Sequence, residues 1–240
     1  MRENRIKTMK FILISICLFI FSCAFTLPAQ ALPKTQHIVI LSSIGDYASF
    51  TQPYVMSAPR TYKRKIPGLG MDRMINNTLK NYLVSKGYSN ISTIKPSSQI
   101  FAKGVPANAF ASREFSGAQK AYLRKLARSS KADIFVLVVR DLYLGEKDFH
   151  TYLRGFGYWN MDFPLNKTLH TFANYGMYIV NAKTLEIIGN NWAYTVESCP
   201  KQLWSNNPKN VSQAAIRHLK AWVIPWMKQS INNKISTMIN

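Results

Sequence analysis

The chain has 240 residues, of which 47% are hydrophobic and 12% aromatic, and its formal net charge is +20. This apolar content excludes a disordered polycation and predicts a folded domain with one sizeable core. The charge predicts attraction to anionic partners without specifying which one.

Residues 1–31 have the pattern of a cleaved export signal. Four bases precede an uncharged apolar run over residues 11–27, and a small-x-small triplet ends the leader. We therefore expect a mature single domain of residues 32–240, free in the periplasm or secreted. The alternative is lipidation of Cys23, because residues 20–23 resemble a lipobox, which would make the chain an outer-membrane lipoprotein.

The first half of the mature chain predicts two strands and one helix. The apolar run at residues 37–41 indicates a strand buried on both faces. Residues 47–69 show no clean period and carry prolines and bases, so we expect a long, mobile, positively charged loop. Helical spacing begins at Met71 and stops at Gly87, and residues 91–94 form a short second strand.

A second helix and a central strand follow. Residues 118–129 predict a helix whose Ala118, Tyr122 and Leu126 face the core. Residues 132–139 give the strongest strand pattern in the chain. This segment is apolar on both faces, so we place it at the centre of a sheet.

The carboxyl-terminal third predicts a hairpin and a final helix. Strands over residues 169–180 and 185–196 flank a short polar turn, and residues 211–239 form a helix interrupted or kinked at Pro225. The element order is β-α-β-α-β-β-β-α. This order predicts an α/β sandwich, with helices packed on a mixed β-sheet of about five strands.

Polar side chains in the turn after the first strand are the first candidates for a site. The pair Gly45 and Asp46 is similar to the Gly-Asp-Ser block of esterases, but Tyr47 stands at the serine position. We therefore predict no catalytic residue and retain Ser42, Ser43 and Asp46 as candidate ligand contacts. The alternative is a periplasmic hydrolase that uses either serine with Asp46 on an acidic or acylated envelope component.

Metal and cofactor sites are not predicted. The four histidines lack the spacing that holds zinc, and residues 67–70 lack the lysine and serine that end a phosphate-binding loop. We therefore expect neither a metal nor a cofactor.

The segment over residues 149–163 interleaves aromatic side chains with glycines. Rings in such a segment stack on sugars, insert at a lipid interface or dock a protein partner, and an arginine there can pair with an anion. An equally good interpretation is that the rings belong to the core. The candidate contacts are Arg154, Phe156, Tyr158 and Trp159.

The basic residues of the predicted loop, Arg60, Lys63, Arg64 and Lys65, are the second candidate surface. They predict contact with an envelope protein or an anionic envelope component. Nucleic acid is not expected because the protein is exported. A protein that binds a membrane surface is a third alternative, and the oligomeric state is not predicted.

Three features resemble a group of exported bacterial proteins: the buried first strand, Ala132–Asp133 at the start of the central strand, and the hairpin turn at residues 180–189. In that group the turn reads Val-Asp-x-x-Thr-Gly-x-Ile or Val, and Asn181 and Leu185 replace its Asp and Gly here. The group includes the amino-terminal domain of TolB, the periplasmic domain of the curli secretion lipoprotein and uncharacterised proteobacterial proteins. The resemblance implies an α/β sandwich with a non-catalytic role in the envelope.

Overall fold

A computed structural model describes residues 32–54, 57–96, 100–106, 113–141, 153–163, 166–204 and 211–239. The predicted leader, Cys23 and residues 149–152 of the aromatic segment lie outside the described residues. The helices are α1 Met71–Ser85, α2 Gly117–Ser130 and α3 Gln213–Met238, with a short 3₁₀ helix at Lys201–Leu203. The strands are β1 Ile38–Ser43, β2 Tyr47–Tyr54, β3 Ser57–Lys65, β4 Ile91–Ile94, β5 Ile134–Val139, β6 Phe156–Phe163, β7 Asn166–Asn181 and β8 Ile187–Cys199.

The strands form one mixed sheet in the order β3-β2-β6-β7-β5-β1-β4, and β8 also pairs with β7. Strand β7 pairs with β6 along Asn166–Ala173 and with β5 along Gly176–Asn181. Both segments also pair with β8, so β5 and β6 follow one another along the opposite edge of β7. Two half-sheets, β5-β1-β4 and β6-β2-β3, therefore meet on one long strand.

Helices cover both faces of the sheet. Strands β1 and β5 are buried on both faces because their residues alternate between two cores. Helices α1 and α3 pack on one face with Ile38 and Ile40, whereas α2 packs on the other face with Val39 and Leu41. The mixed α/β architecture predicted from the sequence is confirmed.

The predicted number and order of elements are wrong. The sheet has eight strands rather than about five, in part because strands β2 and β3 make up most of residues 47–69, where a long loop was expected. Ala48 and Phe50 face the α1–α3 core, and Ser49 between them faces the other way. Part of the predicted aromatic loop is also a strand, since β6 pairs with β2 and β7.

Other elements agree with the predicted boundaries to within a few residues. These are β1, α1, β4, α2, β5 and the β7–β8 hairpin. The core stripe predicted for α2 is right in part, because Tyr122 and Leu126 pack against the core, whereas Ala118 is exposed and Gln119 and Leu123 are the fully buried residues. Gln119 is buried as part of a capping box with Ser116 and donates to two backbone carbonyls. The last helix runs through Pro225 as one element.

Candidate functional site

The turn after β1 is held by a carboxylate from the first turn of α1. Ser42 Oγ donates to Asp72 Oδ1 at 2.7 Å, and the backbone amides of Ile44 and Gly45 donate to the same oxygen at 2.8 and 3.0 Å. The Ser42 side chain is buried, as is that of Ser43. The Ser42 hydroxyl therefore fixes the turn to α1.

Asp46 has a similar connecting role. Its Oδ1 accepts a hydrogen bond from the backbone N–H of Met71 at 2.9 Å, at the start of α1. A carboxylate there satisfies an amide that has no partner within the helix and interacts favourably with the helix dipole. The structure thus brings Ser42 and Asp46 together at the amino-terminal end of α1.

Arg140, which follows β5, connects this turn to the other half of the sheet. Its buried guanidinium donates to the carbonyls of Ile44 and Tyr47 and lies over the ring of Phe156, with 5.7 Å to the ring centroid. Burial lowers the pKa of Arg140 to about 10, and the carboxylates of Asp72 and Asp46 oppose that shift. Arg140 therefore joins the end of β5, the β1–β2 turn and β6.

The basic and aromatic segments meet across β2. Ser49 of β2 pairs with Lys63 of β3 on one side and with Gly157 of β6 on the other. Its hydroxyl donates to the carbonyl of Arg154 at 3.3 Å. Since Lys65 also lies on β3, two residues beyond Lys63 and on the same face, we refer to Lys63, Lys65 and Arg154 as the basic cluster.

The electrostatics of the basic cluster reflect this proximity. Burial lowers the pKa of Lys63, and the positive charges of Arg140 and then Arg154 lower it further. Burial also lowers the pKa of Arg154, while Asp141 opposes the shift. The Arg154 guanidinium is held by a 2.8 Å hydrogen bond to the carbonyl of Lys103. Like charges are thus held near one another by the strand pairing.

The four basic residues of β3 divide between the two faces of the strand. Because successive strand residues point to opposite sides, Arg60 and Arg64 lie on the face opposite to Lys63 and Lys65. Arg64 donates to the carbonyl of Val211, just before α3, at 3.1 Å. The structure therefore places only part of the predicted basic surface beside Arg154.

The aromatic residues of β6 also divide. Phe156 and Tyr158 are buried in the α1–α3 core, and the Tyr158 hydroxyl donates to the carbonyl of Ala215 in α3 at 2.8 Å. Burial raises the pKa of Tyr158. Trp159 is partly exposed, and its ring centroid lies 5.7 Å from that of His170. Of these three rings, only Trp159 is available to a partner.

A buried polar cluster at the end of β5 has no counterpart among the predicted site residues. Asp141 forms a salt bridge with Arg113 at 3.2 Å, and both side chains are buried. The other Asp141 oxygen accepts from the Tyr178 hydroxyl and, at 3.1 Å, from the Trp192 indole. The sequence feature that could have predicted this cluster is the pair of charged residues, Arg140 and Asp141, directly after the most apolar strand.

Replacing Lys63 with glutamine should raise stability near neutral pH. The folded protein lowers the Lys63 pKa below its ordinary value of 10.5, so the charged lysine destabilises the folded state at pH values below the folded pKa. This cost disappears as the pH rises through the folded pKa toward 10.5. The gain in the urea unfolding midpoint should therefore be largest near pH 7 and vanish above about pH 10.5.

The control for this measurement is Lys80→Gln, which removes an exposed lysine from α1. It should leave the unfolding midpoint unchanged near neutral pH. An equal gain in both variants would show that overall charge, rather than the neighbours of Lys63, is responsible.

No helix among the described residues is long and apolar enough to span a membrane. Within the same ranges, no group of three or more His, Cys, Asp or Glu side chains has an arrangement suited to a metal ion.

Comparison with known proteins gives weak structural likenesses. No family model and no curated protein matches the sequence. The PelC dodecamer from Paraburkholderia phytofirmans is 11% identical with a TM-score of 0.34, covering 88% of this chain and 91% of that one. Protein XCC0632 from Xanthomonas campestris, of family DUF330, is 8% identical with a TM-score of 0.38, covering 88% and 90%.

A third structure is that of lipoprotein GNA1162 from Neisseria meningitidis. It is 8% identical with a TM-score of 0.30, and the match covers 80% of this chain and 99% of that one. None of these likenesses reaches a TM-score of 0.5. At such identities and scores they carry no argument about binding or activity.

Proposed function

We propose that the protein is an exported, non-catalytic binding protein that holds an anionic component of the bacterial envelope at its basic cluster. Export is the expectation from the leader pattern of residues 1–31. The observation that carries the proposed binding role is the pairing of β3, β2 and β6, which holds Lys63 near Arg154.

An anionic ligand would offset an electrostatic cost in this part of the fold. Burial, and after it the charges of Arg140 and Arg154, disfavours the protonated form of Lys63. A phosphate or carboxylate placed between such groups reverses the sign of the local interaction and forms charge-assisted hydrogen bonds. Tyr47, which pairs with Lys65 and is 48% exposed, adds a ring at the edge of the cluster.

The non-catalytic part of the proposal is supported by the turn after β1. A serine nucleophile needs a base within hydrogen-bonding reach and access to substrate. The Ser42 hydroxyl donates to Asp72, whose same oxygen also accepts from two backbone amides, and the Ser42 side chain is buried. A hydrolase that used Ser42 would have to break this connection between the turn and α1.

The test is binding to vesicles of phosphatidylglycerol and phosphatidylethanolamine, measured by co-sedimentation at several salt concentrations. We expect saturable binding that weakens as salt rises, because the attraction is between partly exposed charges. The double variant Lys63→Gln/Lys65→Gln should bind about tenfold more weakly or worse, since each lysine near an anionic surface contributes about 1 kcal/mol.

A double variant with the same charge change is the control. Lys80→Gln/Lys125→Gln removes two exposed lysines from α1 and α2, away from β3. It should reduce binding far less than the β3 variant. Equal losses in both would assign binding to overall charge, and no binding by the parent protein at low salt would contradict an anionic lipid partner.

A further inference from the structure

A groove lies between β8 and α3, on the side of β7 opposite to β6 and β5. Its volume is about 600 Å³, within the range of small-molecule sites. It is separated from the basic cluster, because β6 and β2 lie between β7 and β3 in the sheet. The described residues that line it are Asn191, Trp192, Ala193, Tyr194, Trp226, Gln229, Ser230, Asn233, Lys234 and Thr237.

The lining is chemically unlike the rest of this basic protein. The chain has a formal net charge of +20, yet Lys234 is the only charged residue among the described lining. The others supply amides, hydroxyls, indole and phenol rings and one small apolar side chain. Gln229, Asn233 and Thr237 are exposed and repeat every four residues along α3, so they form a row about 12 Å long.

Several groups in the groove are fixed before any ligand arrives. The Trp226 ring stacks on Trp222, with centroids 6.3 Å apart, and meets Tyr175 edge-on at 6.0 Å. The Tyr175 hydroxyl hydrogen-bonds Ser230 Oγ at 2.8 Å. This packing holds an aromatic surface and a hydroxyl in place, which reduces the entropy lost on binding.

Asn191 argues against an added β-strand as the occupant. Strand β8 is paired only with β7 among the described strands, so its free edge would otherwise suit an extended peptide. However, Asn191 Oδ1 accepts from the backbone N–H of Trp192 at 2.9 Å, and Asn191 Nδ2 donates to Thr237 Oγ1 at 3.1 Å. The first bond occupies the backbone N–H of Trp192 in β8, and the second connects β8 to α3.

We propose that the groove binds a neutral oligosaccharide. A sugar ring has an apolar C–H face that packs on an indole and a rim of hydroxyls that both donate to and accept from amides and hydroxyls. The lining supplies both kinds of partner along a row, and uncharged polar groups outnumber its single charge, which favours a neutral ligand. The proposal is independent of the basic cluster.

The experiment titrates the full chain with three uncharged probes, maltohexaose, cellohexaose and chitohexaose, using calorimetry and tryptophan fluorescence. We expect saturable binding of at least one probe, with little change between low and moderate salt because the ligand is uncharged. Salt-sensitive vesicle binding and salt-insensitive sugar binding would then separate the two sites. No saturable binding of any probe would overturn the proposal.

Neighbouring asparagines of α3 give a matched pair of variants. Asn233→Ala removes an amide of the lining, whereas Asn232→Ala removes an amide that is also exposed but is not among the lining residues. Asn233→Ala should weaken binding about fivefold, the effect of one lost hydrogen bond, and Asn232→Ala should leave it unchanged. Equal effects of the two changes would place the sugar elsewhere.

Two more variants complete the assignment. Trp226→Ala should weaken binding about tenfold through loss of the ring, but it also removes packing on Tyr175. Gln229→Ala, at an exposed position of the row, repeats the test without that cost and should weaken binding about fivefold. The proposal would be overturned if Asn233→Ala and Gln229→Ala both bound the sugar as well as the parent does. It would also be overturned if an uncharged serine-rich peptide bound more tightly and displaced the sugar from the groove.

Discussion

Replacing Gly157 with alanine should destabilise the protein by about 3 kcal/mol or more, or prevent folding. A Cβ at this position would lie 1.7 Å from the backbone carbonyl oxygen of Ser49 on β2. The contact is with a paired strand rather than with a flexible side chain, so β2 and β6 would have to separate. Urea unfolding followed by tryptophan fluorescence measures the loss.

Gly189→Ala is the matched control for this prediction. Gly189 also lies in a strand, but an added Cβ would meet its nearest neighbours at 3.6 Å, an ordinary contact distance. The free energy of unfolding of the Gly189→Ala variant should stay within about 1 kcal/mol of that of the parent protein. Equal losses for the two substitutions would mean that the close approach of β2 and β6 is not what requires Gly157.

Asp141→Asn should lower the free energy of unfolding by about 3–5 kcal/mol, the usual cost of breaking a buried ion pair. The change leaves the buried Arg113 guanidinium without the carboxylate that lies 3.2 Å from it. The change also replaces one carboxylate oxygen, an acceptor, with an NH₂ group, a donor. This matters because Asp141 accepts hydrogen bonds from Tyr178 and Trp192 in addition to its salt bridge with Arg113. The measurement is again the urea unfolding midpoint, with circular dichroism to confirm that the variant is folded.

An exposed ion pair serves as the comparison. Glu114 lies 2.6 Å from Lys120 at the surface, and the lysine lowers the pKa of this carboxyl. Water and salt screen such a pair, so Glu114→Gln should leave the unfolding midpoint almost unchanged near pH 7. If the two substitutions had similar effects, the cluster around Asp141 would not be a source of stability.

The sequence predicted those elements whose pattern is local and strong. Residues 38–41 and 134–139 are continuous apolar runs, and both lie in central strands. The hairpin turn was visible in its polar residues, and Asn181 Oδ1 accepts from the amides of Lys183 and Thr184 there. These features depend on neighbours in the chain, which is why single-sequence reasoning finds them.

Strands β2, β3 and β6 were missed because their stability comes from distant partners. Strand β3 is at the end of the sheet and carries four bases, so it lacks the apolar alternation that marks a half-buried strand. Gly157 in β6 suggested a loop, whereas its missing Cβ is what allows the close approach to Ser49.

The candidate residues were found individually, but their arrangement was not. Lys63 and Arg154 lay in separate predicted loops, and only the parallel pairing of β2 with β6 brings these segments together. For Phe156 and Tyr158 the sequence favours neither the core nor a contact surface, and the structure places both in the core. The groove beside α3 was not anticipated, since it depends on which helix packs next to β8.

The tandem attachment of β6 and β5 to β7 has a consequence for how the native pairing is specified. In a sheet, a slip of one residue sends every side chain of a strand to the opposite face. Because β7 pairs with β6 and β5 on one edge and with β8 on the other, a slip of β7 would misalign all three partners together. Strand β7 is therefore the reference against which the rest of the sheet is aligned.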